Sequence, residues 1–189
     1  MDLLQEAKSS NKQAYNELVS KYNHIFYKTA KIYFLLDEDV YTVIEASLSQ
    51  TFRELINVKT EKDFLFLAEK ILIKNCENLK QAYSKDIDKK INSKQLSLNI
   101  GDKITSTENI VGSEEYKEYR KSSIVEEYIT SIEEDCRLIA LLYYYADFSI
   151  SEISVLLKIP NSTITQKVDK IRIKIYEMIK NKEVDLYNE

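Results

Sequence analysis

The sequence predicts an all-α protein: two small helical domains joined by a flexible linker. Three observations point there. Only two Gly and one Pro occur in 189 residues, far fewer than turn-rich β folds use. Apolar residues recur at helical spacing through most of the chain. One stretch, Ser84 to Lys121, breaks that pattern with Ser, Lys, Asp, Asn and Glu, and holds both glycines, Gly101 and Gly112. The division is therefore 1–83, a linker at 84–121, a second domain at 122–182 and a tail at 183–189.

In the first domain, Ala14, Leu18, Tyr22, Ile25 and Phe26 form one helical stripe. Asp37-Glu38-Asp39 marks a helix start, because acids favour the positive end of a helix dipole. Val40, Val43, Ile44, Leu48, Phe52 and Leu55 supply the next stripe, which leaves Thr42, Glu45, Ser49 and Arg53 facing outward. Asn57 to Asp63 reads as a polar interruption. Phe64-Leu65-Phe66-Leu67-Ala68 then opens a strong helix through Ile71, Leu72, Asn75 and Leu79. In the linker, Leu96, Leu98 and Ile100 alternate, as an extended segment would.

In the second domain, Ile124, Tyr128, Ile129 and Ile132 share a face, and Leu138 to Tyr145 reads as a helix buried on most sides. Ser149 with Glu152 three residues on is a capping-box signature. Ile150, Ile153, Leu156 and Leu157 give a short apolar face, and Lys158-Ile159-Pro160 makes a turn. Asn161 or Ser162 is placed to cap a longer helix whose inner stripe is Ile164, Val168, Ile171, Ile175 and Ile179.

Composition narrows the function. No stretch approaches the ~20 apolar residues of a membrane span, and the N-terminus lacks the pattern of a signal peptide, so a cytoplasmic chain with no membrane insertion is expected. Cys76 and Cys136 stand apart with no CxxC, and His24 is the one histidine, so neither a metal site nor a cofactor is expected. There is no Gly-rich phosphate loop and no catalytic cluster, which argues against an enzyme. Net charge is −4, but it is segregated. From Glu126 to Leu157, seven acids (126, 127, 133, 134, 135, 147, 152) face one base, Arg137. From Lys158 to Lys182, seven bases (158, 167, 170, 172, 174, 180, 182) face Asp169 and Glu177. A basic element on an acidic support is the pattern this makes.

A short helix, a tight turn and a longer helix is the geometry with which proteins read the DNA major groove. Asn161, Ser162, Thr163, Thr165, Gln166 and Lys167 lie between the apolar positions of the second helix and can hydrogen bond to bases or phosphates. Lys170, Arg172 and Lys174 can reach flanking phosphates. The plainer alternative is a helical hairpin with a solvated basic face.

The order of these parts resembles the extracytoplasmic-function group of bacterial RNA polymerase sigma factors. Ile132 to Tyr145 is similar to the family's "LPxxxRxVxxLxYxx" helix, Phe148 to Ile159 to its "LSYxEIAxxLGI", and Thr163 to Ile175 to its "TVKSRLxRARxxL". Ala14 to Leu18 with Tyr22 resembles "AFxxLxxxY", and Phe64 to Cys76 resembles "FxxWLYRIxxNxC". The chain departs from the pattern at Thr42 to Leu48, where the family has "DLVQExF", at Glu133 in place of Pro, and at Lys158 in place of Gly.

The resemblance implies a factor that directs core RNA polymerase to promoter DNA and performs no catalysis itself. It assigns polymerase binding to Thr42, Glu45, Ser49 and Arg53. It assigns the minus-ten element to Asn57, Lys59, Lys62, Phe64, Lys70 and Lys74, and the minus-thirty-five element to the residues from Asn161 to Lys174 named above. Phe52, Phe64 and Phe66 read first as core aromatics, with stacking on an unpaired base as the alternative. Glu69 and Glu77 weaken the basic face of the Phe64 helix. An anti-sigma factor is a further partner the resemblance allows. Two rival readings remain: a stand-alone DNA-binding regulator derived from a sigma factor, and an interaction protein that mimics one.

Overall fold

The computed structural model describes residues 3–34, 36–90, 128 and 132–186, with side chains described to 84 in the first stretch and to 178 and at 180 in the last. Among them there is no strand, and the all-α expectation holds. The helices are α1 (Leu3–Lys8), α2 (Lys12–Tyr33), α3 (Asp37–Glu54), α4 (Glu61–Lys90), α5 (Glu134–Tyr144), α6 (Ile150–Leu157) and α7 (Asn161–Leu186). A 3₁₀ turn, Leu55–Asn57, closes α3.

Local sequence sets most of the boundaries. The Asn11 side chain caps α2 by accepting from the backbone N–H of Gln13 (3.0 Å) and Ala14 (3.2 Å). α3 starts at the acidic triplet, as expected, and Asp37 also accepts from Lys31 (2.6 Å) and Tyr27 (2.9 Å) of α2. These bonds hold the Asp37 carboxyl below its ordinary range and raise Lys31. α4 begins earlier than Phe64. Thr60 and Asp63 cap it reciprocally, each backbone N–H donating to the other's side chain at 3.0 and 3.1 Å. Part of the polar interruption therefore belongs to the helix, Lys62 included. At its far end α4 continues to Lys90, so Ser84 to Lys90 are helical rather than linker.

The N-terminal helices pack around Leu18, Phe26, Ala30, Val40, Val43, Phe64, Ala68 and Leu72, all buried. Two polar pins fix α3 in place. Tyr15 donates to the Leu48 carbonyl at 2.7 Å, and Asn75 donates to Ser47 at 3.0 Å. Burial drives the Tyr15 hydroxyl well above its ordinary pKa, so it stays a donor.

The C-terminal helices close around Ile139, Leu142, Phe148, Ile153, Ile164 and Val168. The capping box of α6 forms as the sequence predicts, with Ser149 and Glu152 bonded in both directions. Lys158 ends α6 in the left-handed region (φ 56°, ψ 38°), a conformation that favours Gly. α7 then starts at Asn161 itself. The Pro160 carbonyl accepts from Thr163 (3.0 Å) and Ile164 (3.1 Å), so neither Asn161 nor Ser162 is the capping residue.

The two groups of helices share one continuous apolar cluster. A second, smaller cluster joins Ala140 and Ile171 to Tyr128, Ile132 and Ile175. The expectations for Leu96, Leu98, Ile100, Gly101, Gly112, Ile124 and Ile129 fall outside the described residues, as does the end of the tail, 187–189. Among the described residues no helix is long and apolar enough to cross a membrane.

Candidate functional site

The α6–turn–α7 unit places the residues from Asn161 to Lys174. Ile164, Val168 and Ile171 are buried and form the keel of α7. Away from that keel, Ser162, Gln166 and Lys170 are exposed, as is Asn161 at the start of the helix, while Thr163 and Thr165 are half-buried. The Thr165 hydroxyl donates to the Asn161 carbonyl at 2.9 Å and so turns back on the helix.

The cations beyond them are not equivalent. Lys167 is ion-paired with Asp135 of α5 and lies 3.6 Å from Cys136 Sγ. Its ammonium lowers the Asp135 carboxyl, and the same bond raises the lysine. Arg172 pairs with Asp169 (3.3 Å) and Lys174 with Glu177 (2.9 Å), both within the helix. The exposed polar row at the start of α7 is thus Asn161, Ser162, Gln166 and Lys170. Lys167 is bound to the acidic support.

The residues assigned to the minus-ten element do not share one face. Asn57, Lys59, Lys70 and Lys74 are exposed. Lys62 lies 3.3 Å from Glu152 of α6. Phe64 is fully buried, with its ring edge-on to Tyr15 (6.0 Å) and tilted against Tyr22 (6.1 Å). It is a core residue, and the surface role for it is withdrawn. Phe66 and Phe52 are half-buried, Phe66 against Phe148 and Phe52 against Tyr15.

Glu69 corrects a second expectation. It is not a surface acid diluting the lysines. It is fully buried, accepts from Thr29 at 3.0 Å through Oε2, and has no hydrogen-bond partner for Oε1 among the described residues. Burial pushes its carboxyl up to about 8, which favours the neutral form.

Thr42, Glu45, Ser49 and Arg53 all lie exposed along one edge of α3. Glu45, Ser49 and Arg53 line a cleft of about 680 Å³ with Lys12, Asn16 and Tyr41. The inward set is as expected, Val43 and Ile44 being buried and Leu48 and Phe52 half-buried.

Sequence reasoning missed the roles of Asp135, Glu134 and Glu152 as partners of lysines. The charge segregation was the available signal, because a run of acids beside a run of bases invites pairing in space. One cluster of potential metal-ligand atoms exists among the described residues: Glu133, Asp135 and Cys136, within 4.8 Å of one another. Two of the three are exposed, and Asp135 is already engaged by Lys167, so nothing there marks a built site.

No family model matches the sequence, and no curated protein does. Among solved structures, the chain is similar to CnrH in complex with the cytosolic domain of CnrY, with a TM-score of 0.55 and 13% identity. The match covers 95% of this chain and 96% of that one. CnrH is an extracytoplasmic-function sigma factor. At that identity the likeness concerns the fold, and the chain has a sigma-like all-α fold.

Proposed function

We propose that this protein is a sigma-like initiation factor that directs bacterial core RNA polymerase to specific promoters. One observation carries the reading. The α6–turn–α7 unit holds an exposed row of Asn161, Ser162, Gln166 and Lys170 on a buried apolar keel, within a fold like that of a sigma factor.

In this reading the unit is a helix-turn-helix. α6 braces, and the first turns of α7 enter the major groove at the minus-thirty-five element. Gln166 pairs with a base edge, since an amide can bond an adenine in two places. Lys170 neutralises a phosphate, and Lys167 joins it once released from Asp135. Asn57, Lys59, Lys62, Lys70 and Lys74 serve the minus-ten element. The α3 edge of Thr42, Glu45, Ser49 and Arg53 meets the polymerase clamp. The chain binds and positions, and the polymerase supplies the chemistry. A protein of the anti-sigma kind is a further candidate partner, in the way CnrY is found with CnrH.

The test is reconstitution with bacterial core polymerase and run-off transcription from genomic fragments. Promoter-specific transcripts that disappear with Glu45→Lys, at unchanged helix content, are the expected result. DNA binding without polymerase binding would make the protein a stand-alone regulator. Polymerase binding without salt-dependent DNA binding would make it a mimic.

A further inference from the structure

The second half of α7 leaves two large apolar side chains in solvent, Ile173 at 58% exposure and Tyr176 at 67%. Asp169 lies four residues before this pair and Lys180 four residues after it, and both are exposed. The spacing 169–173–176–180 runs four, three, four, which sets all four residues in one seam along a helix. The buried keel of Ile164, Val168 and Ile171 lies on another side, so the seam points away from the fold. Asp169 pairs within its own helix with Arg172 at 3.3 Å, a contact between exposed groups that yields readily.

The seam is complementary to its own reverse. Laid antiparallel against a second copy, Asp169 meets Lys180 of that copy, and Ile173 meets Tyr176. Both contacts recur across a two-fold axis at the midpoint between Lys174 and Ile175. Parallel pairing would instead set Asp169 on Asp169 and Lys180 on Lys180. We propose that this seam is the docking face for a second copy of the chain, and that two chains pair antiparallel through α7. Four positions make a short interface, well below the ~1,600 Å² of a standard stable one, so the pairing is weak and concentration governs it. Its consequence for DNA rests on the function proposed above. Gln166 and Lys170 lie on one flank of the seam, and a two-fold axis of this kind keeps both copies of that flank on the same side. The first turns of each α7 are centred about ten residues from the axis. The two readers therefore stand about 30 Å apart along the helix direction, close to the ~34 Å between half-sites one DNA turn apart.

The test uses the full chain alone in sedimentation equilibrium, from about 5 to 500 µM, the range in which so small an interface dissociates. The weight-average mass should climb from 22.2 kDa towards twice that value as concentration rises. A carbodiimide, which joins a carboxylate to an amine without a spacer, should link residues 169 and 180. Within one helix these lie about 16 Å apart, so the link forms only between copies. Ile173→Glu should abolish both signals. Asp169→Lys and Lys180→Asp should each weaken association about fivefold, because each sets like charges opposite one another at both ends of the seam. The two combined should restore both the association and the link.

Should Ile173→Glu lose helix content by circular dichroism, Tyr176→Lys carries that arm, since Tyr176 is the more exposed of the pair. A monomer at every concentration overturns the pairing. If Ile173→Glu then weakens binding to core polymerase, the seam belongs to the polymerase instead. Self-association without the 169–180 link also overturns the pairing, because the contact then lies elsewhere. Equal losses in the single reversals and the combined swap overturn the antiparallel register. None of these results touches the initiation reading, which run-off transcription decides separately.

Discussion

α4 and α7 are the two longest helices of the molecule, 30 and 26 residues, and both carry rows of lysine. They are used in opposite ways. α4 is buried against α2 and α3 on one side and meets α6 on the other through Phe66 and Lys62, with Lys80 reaching Glu134 of α5. Several of its polar groups are accordingly enclosed or paired, Glu69 in the interior, Lys62 on Glu152 and Lys80 on Glu134, while Lys70 and Lys74 stay exposed. α7 buries a single stripe, Ile164, Val168 and Ile171, and leaves Ser162, Gln166 and Lys170 to solvent. A helix buried on two sides is a structural hub whose surface is rationed. A helix buried on one side can be a reading element. The contrast predicts that substitutions on α4 will register in stability, and those on the open side of α7 in binding.

The largest effect belongs to Phe64. Replacing it with Ala empties a fully buried site beside Tyr15 and Tyr22 and should cost about 3–5 kcal/mol, the range for large-to-small aromatic changes in a core. Urea unfolding reads this directly. A loss below about 1 kcal/mol would mean that α4 is not the hub, because large values are confined to buried sites.

Glu69 gives the next effect, through pH. Its carboxyl is held up to about 8 in the folded chain, against an ordinary value of 4.5. Below 4.5 both states hold the proton and no penalty exists. As pH rises from there, the unfolded chain ionises and the folded chain does not, so stability falls until about pH 8 and then levels. The slope in that window reaches about 1.4 kcal/mol per pH unit. Glu69→Gln keeps the shape and the Thr29 bond and removes the titration. The variant should melt higher than wild type at pH 7, and the gap should shrink towards pH 4.5. Parallel melting curves across that range would show Glu69 to be solvated rather than interior.

The turn between α6 and α7 offers a smaller gain. Lys158 holds a left-handed conformation that costs a side-chain-bearing residue about 1–2 kcal/mol. Lys158→Gly should therefore raise stability by about 1 kcal/mol, less what glycine's greater freedom in the unfolded chain removes. Thermal unfolding reads it, and a loss of stability would mean that the lysine makes a compensating contact.

These cases also explain what the sequence could and could not disclose. The helices were legible because scarce Gly and Pro and a 3.6-residue apolar rhythm leave few alternatives. The outward edge of α3 was legible because that helix buries one stripe only. The keel of α7 and the capping box at Ser149 followed from the same kind of local pattern. On α4 the residue reading of Phe64 as a core aromatic was right and the DNA role carried over from the resemblance was not, while Glu69 was misread because periodicity identifies an apolar face but not how many neighbours cover a helix. A glutamate between Ala68 and Lys70 looks like surface until a second layer is placed over it. The pairing of Lys167 with Asp135 was hidden for a related reason. Their 32-residue separation carries no spacing rule, and only the segregation of acids from bases hinted at it.

The smallest effects on stability, and the sharpest test of α7 as a reader, lie along its open side. Gln166 and Lys170 are exposed, so replacing either with Ala should leave thermal stability nearly unchanged. Their binding defects should differ in kind. Gln166→Ala should relax preference at one or two base pairs and cost roughly 1–3 kcal/mol on the best site. Lys170→Ala should weaken binding to every sequence and lower the salt slope by about one, since one phosphate contact releases about one counterion. Lys167 separates the structure from a generic basic helix. It must leave Asp135 before it can meet a phosphate, so Lys167→Ala should lose less affinity than Lys170→Ala. Asp135→Asn removes the competing carboxylate and should strengthen binding and steepen the salt dependence. Titrations of a selected site and a scrambled site at several salt concentrations resolve all four variants. If Asp135→Asn changes nothing while Lys167→Ala and Lys170→Ala lose equally, the acidic support does not compete for the reader. If Gln166→Ala loses equally on both sites, α7 grips DNA by charge alone.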